Sequence, residues 1–332
     1  MRNQSVSHMR VCAMLLVVYY HCICFYTPVW DVPGALQVPI YECMAFSLNV
    51  IHMPVFVYIS GFLYAYLYLY KGKYHDGMLF YVDKIKRLMR PYMLWGVLLL
   101  VFPGSYDYIH MLTGISHLWF LLMLFTMFCI VHFSRGFWLH ASVGKSLLAF
   151  VVLLAGLRTL SLMGFLPTWL CLHKVGEYLP FFYLGIICAR FNLTGWLRRN
   201  LSFKHGLALL ALCVIPATWY LMQAAVPPFS SRSFTMLVCG LSVSVAVLLV
   251  HAVLENRPFV HPGRLWDSLD KNGMGIYILH HIFIVGMEKQ PCVGDWMNSS
   301  PLTAPLLMFA IVLPLSWGLS ESVRPTRLSF LF

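Results

Sequence analysis

The chain has 332 residues, of which 60% are hydrophobic, 16% aromatic and 11% charged, and it carries a formal net charge of +11. Soluble domains carry about a quarter Asp, Glu, Lys and Arg. This composition, with a mean hydropathy of +0.75, therefore excludes an ordinary water-soluble enzyme and points to a lipid-facing surface. An excess of 23 Lys and Arg over 12 Asp and Glu can serve nucleic acid, but in a chain this apolar the expected partner is the lipid bilayer, and no nucleic acid is expected.

Each crossing takes about 20 apolar residues. The apolar runs predict an all-α, polytopic membrane protein of about ten transmembrane helices. In chain order they run Met9 to Tyr26, Phe46 to Tyr70, Tyr92 to Pro103 and a little beyond, His117 to Phe133, and Ser146 to Phe165. The second five run Gly176 to Phe191, His205 to Ala225, Phe234 to Leu254, Gly273 to Met287, and Leu302 to Leu319. The third and ninth are short and call for a tilted or broken helix. Arg2, His8 and Arg10 precede the first run as in a signal peptide, but no small-residue cleavage site succeeds it, so it is read as the first membrane helix. The ten cysteines form no CxxC pair and mostly lie in apolar runs, which argues against a disulfide framework or zinc site. With no internal repeat, residues 1–332 read as one integral membrane domain.

The positive-inside rule tests the count independently. Placed on ten spans, every Lys and Arg except Arg158, Lys174, Arg232 and Lys289 falls on the side of the N-terminus. A miscounted helix in the middle would invert every later connection, so both termini are expected to be cytoplasmic.

Arg10 and His21 share the first span. Eleven residues bring them within about 20° of one helix face, separated by roughly 16 Å along the axis. A histidine at mid-membrane depth either serves a polar functional cavity or bonds a neighbouring helix as structural glue. Arg87 and Arg90, spaced i, i+3 in RLMRPYMLW, share one face. Paired guanidiniums suit phosphate recognition, while a basic connection can equally be topogenic. Further polar groups lie in apolar runs: His52 and Ser60, His117 and Trp119, and His280 and His281. No HxxxH or His/carboxylate spacing is read on any one helix, so no metal site is expected.

Several segments together resemble acyltransferase family 3, integral membrane acyltransferases that O-acylate sugars of polysaccharides and glycans. They are R-x10-H at Arg10 and His21, HMPVFVYISGFL from His52, RLMRPYMLW from Arg87, HLWFL from His117, YLPFFYLGIICAR from Tyr178, and GIYILHHIF from Gly275. The resemblance covers most of the chain. It implies a ten-helix fold, a cytoplasmic acyl-coenzyme A donor and a catalytic histidine matched by His21. Arg10, Arg87 and Arg90 match its functionally important arginines, and His52, Ser60, His117 and Trp119 match motif positions. Two departures stand out. Only a short tail comes after the last span, where longer relatives append a periplasmic hydrolase-like domain. HLWFL replaces the LWSL...E motif of some relatives, which sets the chain nearer the short glycan and lipid-linked sugar acetylases.

The expected activity is O-acetyl transfer to a hydroxyl of a saccharide or lipid-linked saccharide at the bacterial inner membrane. Acetyl-CoA or another acyl-CoA is a substrate, with no permanently bound cofactor. Arg87 and Arg90, aided by Lys84 and Arg10, would seat the donor phosphates. His21 would act as general base or acyl carrier, with His52, Ser60, His117 or a backbone amide beside it. No carboxylate on the first span orients His21, and Glu177 is the nearest embedded candidate. The alternative is a transporter or flippase for a glycolipid or small solute, and a receptor or scaffold is a third reading. Against transport, the basic and His-bearing motifs crowd the first 120 residues and R-x10-H has no second copy.

Overall fold

A computed structural model describes residues 4–30, 32–101, 106–227, 231–255 and 263–332, and among these every regular element is a helix. Helix α1 (Gln4–Ile23) runs into a 3-10 turn ending at Tyr26. Helix α2 (Pro39–Lys71) begins with proline in its first turn and stops where Gly72 adopts a left-handed φ of 62°. The Asp76 carboxylate caps α3 (Gly77–Lys84) by accepting from the Met78 and Leu79 amides. A π-helical stretch, Ile85–Met89, joins α3 to α4 (Arg90–Val101).

After two short turns come α5 (Trp119–Phe133), α6 (Val143–Val151) and α7 (Arg158–Leu162), the last two joined by a second π-helical stretch, Val152–Leu157. The chain continues through α8 (Leu172–Phe191), α9 (Lys204–Gln223), α10 (Arg232–Glu255), α11 (Gly263–Lys271), α12 (Gly273–Glu288) and α13 (Ala304–Val323).

Among the described residues, seven helical stretches are long and apolar enough to cross a membrane: Gln4–Tyr26, Pro39–Lys71, His110–Phe133, Val143–Leu162, Lys204–Gln223, Arg232–Glu255 and Ala304–Val323. The other three predicted spans are also helical but depart from that standard for identifiable reasons. The third is α4, of 12 residues, and the predicted end at Pro103 lies outside the described residues. The sixth, α8, carries Lys174, Glu177 and Arg190. The ninth, α12, has 16 residues, roughly 24 Å of helix. Arg2 and Arg257, used in the charge count, also lie outside the described residues.

Outward faces are apolar, as lipid requires: Leu147, Leu148 and Val151 on α6, Leu209 and Leu210 on α9, and Leu306, Ile311, Leu315 and Leu319 on α13 are all exposed. The most extensive helix pair is α2 with α8, and glycine makes it possible. A Cβ on Gly61 would stand 1.9 Å from the Phe182 carbonyl oxygen, and one on Gly185 would stand 2.2 Å from that of Tyr58. One apolar cluster gathers α2, α5 and α8, and a second gathers α1, α12 and α13. Residues of both clusters line the cavities enclosed between these helices.

Candidate active site

Two cavities lie between the same four helices, α1, α2, α5 and α12. The first, of about 540 Å³, receives Arg10 and Met14 from α1, Phe56 and Ser60 from α2, Phe120 and Leu124 from α5, and Met274 and Tyr277 from α12. The second, of about 310 Å³, receives Tyr20 and His21, Asn49 and His52, Trp119, and Tyr277 and His281 from those helices, with Ser116 and His117 from the turn entering α5. Passing from the first cavity to the second means moving forward along α1 and backward along α2, so the two are stacked along the helix axes. On α1 the step from Arg10 to His21 is roughly 16 Å.

The first cavity is basic. Among the described residues, five cationic side chains line it, Arg10, Lys86, Arg87, Arg90 and Lys271, against the single carboxylate of Asp270. Asp270 holds Arg10 through Oδ1 at 2.5 Å from Nε and accepts from the Ser7 hydroxyl through Oδ2 at 2.7 Å. Arg87 Nε lies 3.0 Å from Asp83 Oδ1, one helical turn back. The tail closes one side: Trp95 Nε1 donates to the Leu331 carbonyl at 2.9 Å, Trp95 stacks on Phe332, and the Arg90 guanidinium sits 5.9 Å from the Phe330 ring centre. Phe332 itself lines the cavity.

The second cavity is built around histidines. His21 Nδ1 lies 2.9 Å from the Val17 carbonyl oxygen and 3.1 Å from His280 Nε2. His280 Nδ1 lies 2.9 Å from the Ile276 carbonyl oxygen, and His117 Nε2 lies 3.1 Å from that of Ile278. Carbonyls only accept, which fixes the tautomers of the neutral rings. His280 carries its hydrogen on Nδ1 and offers Nε2 as acceptor to His21 Nδ1–H, leaving His21 Nε2 with a free lone pair. His281 stacks on His117 at 4.2 Å and meets His21 edge-on at 5.1 Å, and Trp30 lies 5.8 Å from His21. A base with an oriented lone pair, in a pocket lined by further histidines, Asn49, Ser116 and two indoles, suits proton abstraction from a hydroxyl.

Of the residues singled out in the sequence, His21, His52, His117, Trp119 and His281 meet in the second cavity, with His280 bonded to His21 beside it, while Arg10, Ser60, Arg87 and Arg90 meet in the first. Ser60 is thus parted from His52, and its hydroxyl donates to the Phe56 carbonyl at 2.8 Å. Lys84 is not among the residues lining the first cavity, whose lining includes Lys86. The Lys84 ammonium lies 4.1 Å from the Phe128 ring centre and 4.8 Å from that of Tyr74. Glu177, the carboxylate considered for His21, pairs with Lys174 at 2.9 Å instead. The expectation that no helix carries a His/carboxylate spacing is corrected: His251 and Glu255 on α10 lie 3.5 Å apart, one turn from each other. Among the described residues no three His, Cys, Asp or Glu side chains are arranged to hold a metal ion.

Sequence reasoning gave no role to His280, His281, Asp270, Lys86, Lys271, Trp30 or Tyr277. A usable signal existed for α12 alone, where Met274, Tyr277 and His281 recur at helical spacing on one face.

The family profile described as an acyltransferase domain matches residues 3–321 of the chain. Comparison with the curated proteins and with the solved structures finds no match.

Proposed function

Because the chain belongs to acyltransferase family 3, and so is a membrane acyltransferase, we propose that it transfers an acyl group, acetyl first among candidates, from a cytoplasmic acyl-CoA to a hydroxyl of a saccharide or lipid-linked saccharide. In this reading the chain crosses the bacterial inner membrane ten times with both termini in the cytoplasm, α4, α8 and α12 adding three crossings to the seven long apolar ones. The alternation of Lys and Arg between connections supports that count.

One observation carries the reading: a basic cavity and a histidine cavity occupy successive levels of the same four helices. Arg87, Arg90, Lys86 and Lys271, with Arg10 oriented by Asp270, form a seat for the donor's phosphates. The apolar walls beyond, Met14, Phe56 and Leu124, suit an extended pantetheine arm, with Ser60 beside its amides. That arm spans the roughly 16 Å from Arg10 to His21.

In the second cavity, His21 Nε2 takes the proton of the acceptor hydroxyl as its oxygen attacks the thioester carbonyl. The C–S bond breaks and the proton passes to the coenzyme A sulfur. The same lone pair serves if the imidazole is acylated first and the hydroxyl attacks second. In this reading His52, or a backbone amide, donates to the developing oxyanion. Val29, Trp30 and Tyr106, from connections at the far end from the tail, rim this cavity. The acceptor therefore enters opposite the donor, with the Trp30 indole offering a stacking face to a sugar ring.

The test supplies membranes containing the protein with acetyl-CoA labelled in the acetyl group and with envelope glycan. Label recovered in the saccharide fraction as an alkali-labile ester is the expected result. Label that stays in the coenzyme, or crosses the membrane unreacted, contradicts an acyltransferase acting on saccharide.

A further inference from the structure

Among the described residues, Tyr277 alone belongs to the linings of both cavities. It stands on α12 one turn before His281, which faces the second cavity, and one turn after Met274, which faces the first. Phe120, a wall of the first cavity, packs against its ring edge-to-face at 5.9 Å, and His117, a wall of the second, lies 5.6 Å away. The phenol hydroxyl donates to the backbone carbonyl of His117. The residue is 8% exposed, so the ring is held between the two spaces and not turned out to lipid. Its orientation is therefore set by one hydrogen bond to a fixed backbone atom and by packing against Phe120 and His117.

Resting on the donor and acceptor sites proposed above, a thioester reaching His21 must pass this ring. The second cavity is also where a hydroxyl nucleophile arrives, and water is a smaller nucleophile of the same kind. Attack by water oxygen on the thioester carbonyl breaks the C–S bond, gives a free carboxylic acid, and delivers the water's proton through His21 Nε2 to the sulfur. That side reaction needs no further reactant, so an enzyme of this architecture needs a barrier between donor and solvent-accessible base. We propose that Tyr277 is that barrier: its ring partitions the two cavities, its hydroxyl anchors it to His117, and its displacement by the incoming acyl arm sets the ratio of transfer to hydrolysis. Tyr277 is on this view a positioning residue, moving no proton itself.

The experiment uses the full chain in lipid nanodiscs with acetyl-CoA and no acceptor, reading thiol release for hydrolysis and calorimetric titration for donor affinity. Tyr277→Ala is expected to release coenzyme A at least tenfold faster than wild type at similar donor affinity, and adding His21→Ala is expected to abolish the gain. Tyr277→Phe, which keeps the ring and loses the anchor, is expected to show a two- to fivefold gain. A purely structural role would lower thiol release and donor affinity together. Wild-type affinity with thiol release at or below the wild-type rate in Tyr277→Ala overturns the proposal. If that variant does not insert, an unchanged rate in Tyr277→Phe at unchanged affinity overturns it equally. Failure of the wild-type protein to bind acetyl-CoA at all would instead strike the donor site beneath it, and the partition with it.

Discussion

His21 Nδ1 lies 3.1 Å from His280 Nε2, across 259 residues of sequence. The contact orients His21 without a carboxylate: His280, itself pinned by the Ile276 carbonyl, can only accept. An imidazole acceptor holds the base in one tautomer while adding no charge to a membrane interior, where an unpaired carboxylate would be costly.

The His280 contact is shared with the Val17 carbonyl, so its loss leaves the tautomer in place and loosens the ring. His280→Ala is expected to lower kcat about tenfold with little change in the donor KM, whereas removing the base itself costs roughly 10²–10⁴-fold. His280→Gln, whose amide oxygen can accept the same hydrogen, is expected to recover part of the loss. Steady-state kinetics on the three proteins checks this, and a KM effect without a kcat effect would place His280 in donor binding.

Arg90 lines the basic cavity proposed to seat the donor, and Lys84 does not. Hydrogen bonds to charged groups are worth about 1.5–3 kcal/mol. Arg90→Ala should therefore raise the KM for acetyl-CoA roughly 10- to 100-fold, and Lys84→Met should leave it within about twofold. Equal effects from the two variants would mean that the donor phosphates lie deeper along α3.

Lys84 also carries a pH signature. Burial against Phe80, Phe128 and Tyr74 pushes its ammonium down from 10.5 to about 8, against the pull of Asp83 at 3.9 Å. Below pH 8 both folded and unfolded chains hold the proton, and the fold bears the full cost of desolvating it. Between about 8 and 10.5 the unfolded chain holds more protons, so stability from this group rises with pH. The melting temperature of Lys84→Met relative to wild type is thus expected to be flat below about pH 8 and to fall between pH 8 and pH 10. A difference independent of pH would show that the ammonium is not desolvated.

Gly61→Ala tests the fold. Its Cβ would meet the Phe182 carbonyl oxygen at 1.9 Å, and a backbone atom cannot yield as a side-chain tip can. Overpacking of this kind costs about 3 kcal/mol or more, so the variant should insert poorly or melt well below wild type. Gly136→Ala, where an added Cβ meets nothing within 4 Å, should be neutral.

Relations along one helix were legible in the sequence and relations between helices were not. The 3.6-residue period is enough to align Arg10 with His21. It cannot say that α12 brings His280 to His21, or that Asp270, just before α12, takes hold of Arg10. Lys84 lies away from the cavity for a local reason. Lys84 ends α3, while Lys86 and Arg87 lie in the π-helical turn Ile85–Met89 and Arg90 just after it, and the wider winding of that turn breaks the 3.6-residue register that would relate them. Lys86, Arg87 and Arg90 face the cavity, whereas Lys84 turns into an aromatic cluster. Each of the ten apolar runs coincides with a helix, whereas the short amphipathic helices α3 and α11 were not legible as runs; the shortness of α4 and α12 and the charges of α8 leave seven stretches among the described residues that are long and apolar enough to cross a membrane. His251 and Glu255 were an i, i+4 pair visible in the sequence and overlooked.

His21 carries the proposed proton transfer. Membranes carrying wild type and His21→Ala at equal insertion are given labelled acetyl-CoA and envelope glycan, and esterified label is counted. The expected result is a loss of transfer of at least 100-fold in His21→Ala with donor affinity retained. Wild-type turnover in a normally inserted His21→Ala protein would contradict it.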